Sequence, residues 1–473
     1  MKRIISTTLI TLYIFLLTLE VDVLAEWPSD SKVNVPVCTS QGSQTDVVIT
    51  TDDSGGAIVV WRDERNGANV GIYAQRIDAS GSIRWDANGV AICTAPGDRR
   101  DVTAVSDGSG GAVIVWEDRR SGNSDIYAQR VDEHGVIKWA TDGISICTAA
   151  NSQWLHKVVY DGTDGFIIVW QDWRSGNDWD IYAQRVNING VVQWTVDGVG
   201  IATGAKNQLS PDIAPDGTGG AITVWHQFLG GGDANIYAQK VDVNGVAQWG
   251  FEGLAVCNAS LDQLTPVITA DGAGGAIIIW VDDRNTNYDL FAQRINASGS
   301  LLWTPKNGVP ICKTAIDQEN PVIINDGASG AIITWENYRD ANNIDIFAQR
   351  VDANGTIMWL SSGVPVGVGI DWQYAPTITT DGSNGAIIAW EDFRNPSADV
   401  YAQRVDAGGA VLWAANGVSV SAAQRSQGSP AIVSDNTGGA IIVWEDSRSG
   451  NYDIYAQRLN LAGVLGGSAA ITA

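Results

Sequence analysis

Residues 444–458 read W-E-D-S-R-S-G-N-Y-D-I-Y-A-Q-R, and this stretch recurs eight times in a chain of 473 residues. Its leading tryptophan stands at Trp61, Trp116, Trp170, Trp225, Trp280, Trp335, Trp390 and Trp444, each 54 or 55 residues from the next. So regular a period marks a repeat architecture, in which every copy is one supersecondary unit stacked on its neighbours. A residue present in every copy then serves the unit. Chemistry is to be sought among the residues that break the pattern.

The fifth copy shows the unit. A strand is expected over residues 266–270, a Gly-rich turn over 271–275 and a strand over 276–282. A loop over 283–288, a strand over 289–295 and a hairpin turn over 296–299 follow, and a last strand holds Trp303 and ends near Cys312. We name these strands a to d. Strands b and c are apolar on both faces, as suits a sheet covered on both sides. Four short antiparallel strands repeated radially describe a propeller blade, so the fold class is all-β, an eight-bladed β-propeller. A β-solenoid is the alternative, but its coils do not need the recurring hairpin turns. The last copy lacks the strand-d tryptophan, whereas Trp27 and residues 33–38 precede the first copy. The N-terminal strand is therefore expected to complete the final blade and close the ring, with the C-terminal tail competing for that slot.

Residues 1–25 carry Lys2 and Arg3, an apolar run and small residues at 23–25, the layout of a cleaved secretory signal. Residues 26–473 are then expected to form one propeller domain, exported to the periplasm or outside the cell without membrane insertion. The formal net charge of −24 excludes nucleic acid as a natural partner. Cys38, Cys93, Cys147, Cys257 and Cys312 share one repeat position. Equivalent positions in stacked sheets lie about 10 Å apart, beyond the reach of a disulfide. They read as buried free thiols.

Residues 401–413, Y-A-Q-R-V-D-A-G-G-A-V-L-W, resemble the tryptophan-docking repeat of pyrroloquinoline-quinone-type eight-bladed propellers, without its threonine. Residues 326–335, D-G-A-S-G-A-I-I-T-W, are similar to the Asp-box of sialidase-like propellers. The W-x-D-x-R form also looks like that of exported bacterial repeat proteins. These resemblances are to structural repeats. They imply a propeller scaffold and carry over no active site.

In W-x-D-x-R, the Trp, Asp and Arg at i, i+2 and i+4 share one strand face, so Asp is placed to satisfy the b–c turn with Arg as its partner. Six copies keep the Asp, and eight equal active sites are implausible, so a structural role is expected. No run of alternating acidic residues suggests calcium, and no cofactor is implied. Gln75 and its seven equivalents are expected to bond internally. A second series, beginning with Gln44 and Gln153, precedes strand a; a structural role is expected for it, with amides that ring the channel mouth and face a ligand as the alternative.

Four of the twenty tryptophans, Trp154, Trp173, Trp179 and Trp372, lie outside the repeat positions, all in d–a or b–c loops. Those loops emerge on one face of the propeller. Copy two adds Arg99, in place of Gln, and Arg119, a cluster suited to an anion. Copy three adds Trp154, His156, Trp173 and Trp179, and copy four reads Trp225-His226-Gln227-Phe228. The candidate ligand-binding residues are thus Arg99, Arg119, Trp154, His156, Trp173, Trp179, His226 and Phe228, with no catalytic or metal residue. The expectation is a non-catalytic protein whose partner is a glycan or an extracellular protein. The alternative is a sialidase-like glycoside hydrolase or lyase, for which Asp283, Glu64 and Tyr338 break the pattern in separate copies. A quinone-dependent dehydrogenase ranks below both, because the chain lacks a vicinal cysteine pair.

Overall fold

Strand b of the fifth blade, Ala276–Asp282, is buried along its whole length, as its continuous apolar reading requires. A computed structural model describes residues 26–228, 233–340 and 343–467, and the signal segment lies outside them. It is an eight-bladed β-propeller of eight four-stranded antiparallel sheets. Each sheet runs a-b-c-d from the centre outward, and the innermost strands of adjacent blades contact one another around a central channel.

Strands b and c of the fifth blade match their expected bounds, Ala276–Asp282 and Asp289–Ile295. Strand a begins earlier than expected, at Gln263, because the repeated Gln pairs with the W-x-D aspartate across the sheet, here Gln263 with Asp282. Strand d is shorter, Val309–Cys312, and Trp303 precedes it in the c–d excursion. From there Trp303 reaches the next blade, donating its indole N–H to the Ala353 carbonyl at 3.0 Å. Gly355 packs on that ring with φ +84°, and a Cβ there would lie 2.8 Å from the indole. Both facts demand glycine.

The ring closes as the sequence implies. Val35–Cys38 pairs antiparallel with Asp453–Leu459 as the outer strand of the last blade. Trp27 is buried and donates to the Ala79 carbonyl of blade 1, repeating the bridge that Trp303 makes. Closure leaves no blade with an uncovered face.

Each blade is locked at both ends. On the loop face of blade 5, Asp282 is fully buried and accepts the Trp280 indole N–H at 2.7 Å. Arg284 grips the same carboxylate through two N–H groups at 2.7 and 2.5 Å, and its guanidinium lies 3.9 Å from the centre of the Phe291 ring. Six blades repeat this clamp. Blades 4 and 6 carry Gln227 and Asn337 instead, and the indole N–H groups of Trp225 and Trp335 are buried without a partner. On the opposite face, Arg294 pairs with the turn residue Asp271, and all eight blades repeat this pair, with Lys240 replacing Arg in blade 4. The amide of Gln75, likewise repeated, accepts the N–H groups of Arg76 and Trp85 and donates to the Asp86 carbonyl.

All five cysteines are buried and free. Burial pushes the thiols of Cys38, Cys147 and Cys312 up to about 12. The folded protein should leave all five unreactive toward a disulfide reagent at pH 8, and urea should expose them together. Asp282→Ala strands a buried indole N–H and an arginine at once. It should lower unfolding stability by about 3 kcal/mol in urea titration.

Candidate functional site

Strand a of every blade carries a bulge near its start, at its third residue in seven blades and its fourth in blade 6, where the register slips against strand b. The bulged residue takes a left-handed backbone in all eight blades, from Asp46 (φ 53°) through Leu155, Ser210, Thr265, Asn320 and Ala375 to Ser429 (φ 52°). The middle residue of W-x-D faces away from its own clamp, toward the next blade. In five blades it supplies an arm whose oxygen accepts the N–H of the next bulge. Glu445 accepts Asp46 at 2.8 Å, Glu117 accepts Leu155 at 3.3 Å, and Gln171 accepts Ser210 at 3.2 Å. Glu336 accepts Ala375 at 2.9 Å and Glu391 accepts Ser429 at 2.5 Å. In blade 1, Arg62 instead donates to the Arg99 carbonyl and pairs with Asp98. Blades 4 and 5 carry His226 and Val281 there and have no such arm.

The space left by the missing arms is open. A cavity of about 400 Å³ is lined by Thr265, Val267, Asn320, Val322, Glu336 and Pro376. A second, of about 210 Å³, lies between Val281, Tyr288, Glu319 and Asn320, and a third, of about 200 Å³, runs past Thr265 to Asp212, Lys157 and Leu155. All three share Thr265 and belong to the channel mouth on the loop face. Glu336 is nearly enclosed, its second oxygen accepting from Asn320 at 2.8 Å and from the Tyr338 hydroxyl at 3.0 Å. Burial and the neighbouring Glu336 push the Tyr338 phenol well above its ordinary range.

Two residues per blade flank this mouth as diagonal neighbours across strands a and b: the residue after the strand-a Gln and the residue after W-x-D. They are Trp154 and Trp173 in blade 3, Leu209 and Phe228 in blade 4, and Leu264 and Asp283 in blade 5. Glu319 and Tyr338 follow in blade 6, and Tyr374 and Phe393 in blade 7. Blades 8, 1 and 2 hold Gly428 and Ser447, Thr45 and Glu64, and Arg100 and Arg119. Eight of these ten residues in blades 3–7 are aromatic or apolar, interrupted by Asp283 and Glu319, and they form one arc over the same blades that line the cavities. At one end Trp179 packs on both Trp154 and Trp173 with ring centres 4.9 Å apart, and Trp154 is 37% exposed. At the other, Phe393 meets Trp372 and Tyr374 edge to face at 6.4 and 5.9 Å, and Trp372 lies tilted on Tyr374 at 5.6 Å.

The candidate residues divide on inspection. Trp154, Trp173, Trp179 and Phe228 lie on the arc, and Phe228 meets His226 edge-on at 5.6 Å. Arg99 is not a surface cation. It is fully buried, gives its N–H groups to the Ala95, Gly97 and Val70 carbonyls, and pairs with Asp118. It does what the repeated Gln does elsewhere: Gln44, for one, donates to the Ser40 and Gly42 carbonyls. That Gln series is structural and buried, and does not ring the channel. Arg119 bonds Ser124 and Arg100 pairs with Asp98, so the anion cluster of blade 2 is internally occupied. Neither histidine is a loop residue. His156 sits in strand a and His226 in strand b, both buried, and burial pushes each down to about 4, leaving them neutral. The carboxylate arms went unnoticed in the sequence. Their signal was the middle residue of W-x-D, which is Glu in four of eight copies.

Among the described residues no three His, Cys, Asp or Glu side chains are grouped to hold a metal ion, and no helix is long and apolar enough to cross a membrane. No protein-family model matches the chain, and no curated protein sequence is similar to it. Solved structures with a similar fold include a puromycin hydrolase (13% identity, TM-score 0.49) and a puromycin-hydrolyzing peptidase of Mycobacterium tuberculosis (12%, TM-score 0.47). The match covers 89% of this chain and 61% of either of those. A Hadza microbial sialidase matches over 72% of this chain and 74% of its own length, at 10% identity and a TM-score of 0.39. The chain thus spans about 61% of the length of the two peptidases, and none of these likenesses transfers a reaction to it.

Burial pushes the Glu445 carboxyl from its ordinary 4.5 up to about 7, against the opposing hydrogen bond from the Asp46 backbone N–H. A carboxyl raised on folding favours the protonated fold. Its contribution is whole below about pH 4.5 and is lost as pH rises through about 7. Glu445→Gln keeps an acceptor for Asp46, as Gln171 does for Ser210. Thermal melts from pH 5 to 8 should show the variant losing stability with pH less steeply than the wild type; equal slopes would exclude the assignment.

Proposed function

We propose that this is an exported, non-catalytic protein that holds a glycan across blades 3–7 of the loop face. The supporting observation is the aromatic arc laid over the part of the channel mouth where His226 and Val281 leave the Thr265 and Asn320 bulges without an arm. Flat indole and phenol faces stack on the apolar faces of sugar rings, and the half-open carboxylates and amides below accept from hydroxyl groups. A neutral chain suits a protein of net charge −24 better than an anionic one. Export rests on the character of residues 1–25.

A hydrolase is the second reading, favoured by the Tyr338–Glu336 contact, a phenol bonded to a buried carboxylate at the mouth. Against it, Arg339, the adjacent cation, is tied to Asp345 and is not aimed at a substrate. Trp154→Ala with Trp173→Ala should weaken glycan binding by about 2 kcal/mol, roughly 30-fold, in a titration against the best ligand of a glycan panel. Unchanged affinity would remove the arc from the site. Release of reducing sugar that Tyr338→Phe abolishes would favour the hydrolase instead.

A further inference from the structure

The arms show what the bulge N–H groups recognise. In four blades the acceptor is a carboxylate, but Gln171 meets the Ser210 N–H with a primary amide, a group chemically equivalent to acetamide. The bulges at Thr265 and Asn320 share the left-handed backbone of Ser210, with φ 45° and 51° against 52°. They follow His226 and Val281, so no side-chain acceptor comes from the preceding blade. Instead both bulges line the cavities of the channel mouth. The smaller cavity has Val281 as a wall in the place of an arm, Leu264 and Tyr288 beside it, and the half-buried Glu319 across from it.

We propose that this opening is a subsite for the acetamido group of an N-acetylated amino sugar. The ligand's carbonyl oxygen takes the position that an arm oxygen takes in five other blades and accepts the Asn320 N–H. Its methyl group rests on Val281 and Leu264, and its amide N–H donates to Glu319. A plain hydroxyl leaves the apolar wall uncovered, so glucose-type chains fill the subsite poorly. The inference rests on the glycan reading above and names the sugar class it selects.

The test uses three β-1,4-linked tetramers, of N-acetylglucosamine, glucose and glucosamine, titrated calorimetrically into the mature protein. The acetylated tetramer should bind at least about 10-fold more tightly than the glucose tetramer. Val281→Gln builds into blade 5 the arm that Gln171 provides in blade 3. It should fill the subsite, bring the two affinities within about 3-fold of each other, and melt no lower than the wild type because it adds an interblade hydrogen bond. Equal wild-type affinities for the acetylated and glucose tetramers would overturn the proposal, as would a preference that survives in V281Q. Tighter binding of the glucosamine tetramer would overturn it too, since the carboxylates would then be reading an ammonium. Should V281Q fail to fold, the wild-type comparison still decides. If all three tetramers fail while another glycan binds through Trp154 and Trp173, the acetamido assignment falls and the glycan reading stands. If no glycan binds, both fall.

Discussion

A carboxylate with almost no exposure, held by an indole N–H and the fork of an arginine, is the interaction on which the rest of the molecule depends. Burying such a pair is costly unless every lone pair is satisfied. Here it is: Asp282 accepts from Trp280, from the backbone of Arg284 and twice from its guanidinium. The arginine then covers an aromatic ring of strand c and bonds a carbonyl of its own blade, Asn307. One residue triplet thus fixes the b–c loop, the outer strand and the position of the blade's largest side chain. Six copies keep all of it. In blades 4 and 6 the indole N–H is buried alone, and the packing of neighbouring sheets on both sides holds those blades in place.

That division of labour explains how variation is tolerated. Stability in a closed repeat is a sum of blade terms and interface terms. In five blades position x of W-x-D gives the interface one hydrogen bond to the next bulge. Losing it costs about 1 kcal/mol, which a ring of eight interfaces absorbs. Losing the Asp of the same motif leaves two buried donors unanswered. The position that can change cheaply is also the one facing the channel mouth, so change there opens space where a ligand can enter.

The fold was legible in the sequence because period, turn glycines and tryptophan spacing agree with one another. Even ring closure could be read from Trp27 and the missing last tryptophan. The site was legible only in part. Trp154, Trp173, Trp179 and Phe228 stood out as misfits and do share a face. His156 and Arg99 stood out equally and are buried. A one-dimensional pattern shows that a position is unusual without showing which way it points. His156 fills a slot that other blades give to Val or Pro, and Arg99 fills one that they give to Gln. The arms were hidden for the opposite reason. A Glu in half the copies looks like solvent-facing variation until the bulge it reaches is seen, and that bulge is a backbone event with no residue signature: Asp, Leu, Ser, Thr, Asn and Ala all occupy it.

The two sets of misfits converge for a physical reason. The residue after the strand-a Gln and the residue after W-x-D both sit where strands a and b end on the loop face, one step from the bulge. Where an arm is present, its oxygen takes the bulge N–H. Where His226 and Val281 replace it, cavities open at the mouth and apolar groups stand above: Leu209 with Phe228, then Leu264 and Tyr288, with Asp283 among them. An exposed apolar rim is a liability on a protein surface unless something covers it. Here it borders a cavity with polar groups at its floor, which is the arrangement of a small-ligand site. A flat apolar patch without the missing arms would suit a protein partner as well. The depth beneath this one, created by subtraction from an otherwise repeated interface, is what favours a ligand that can send a small polar group inward while its ring remains on the indoles.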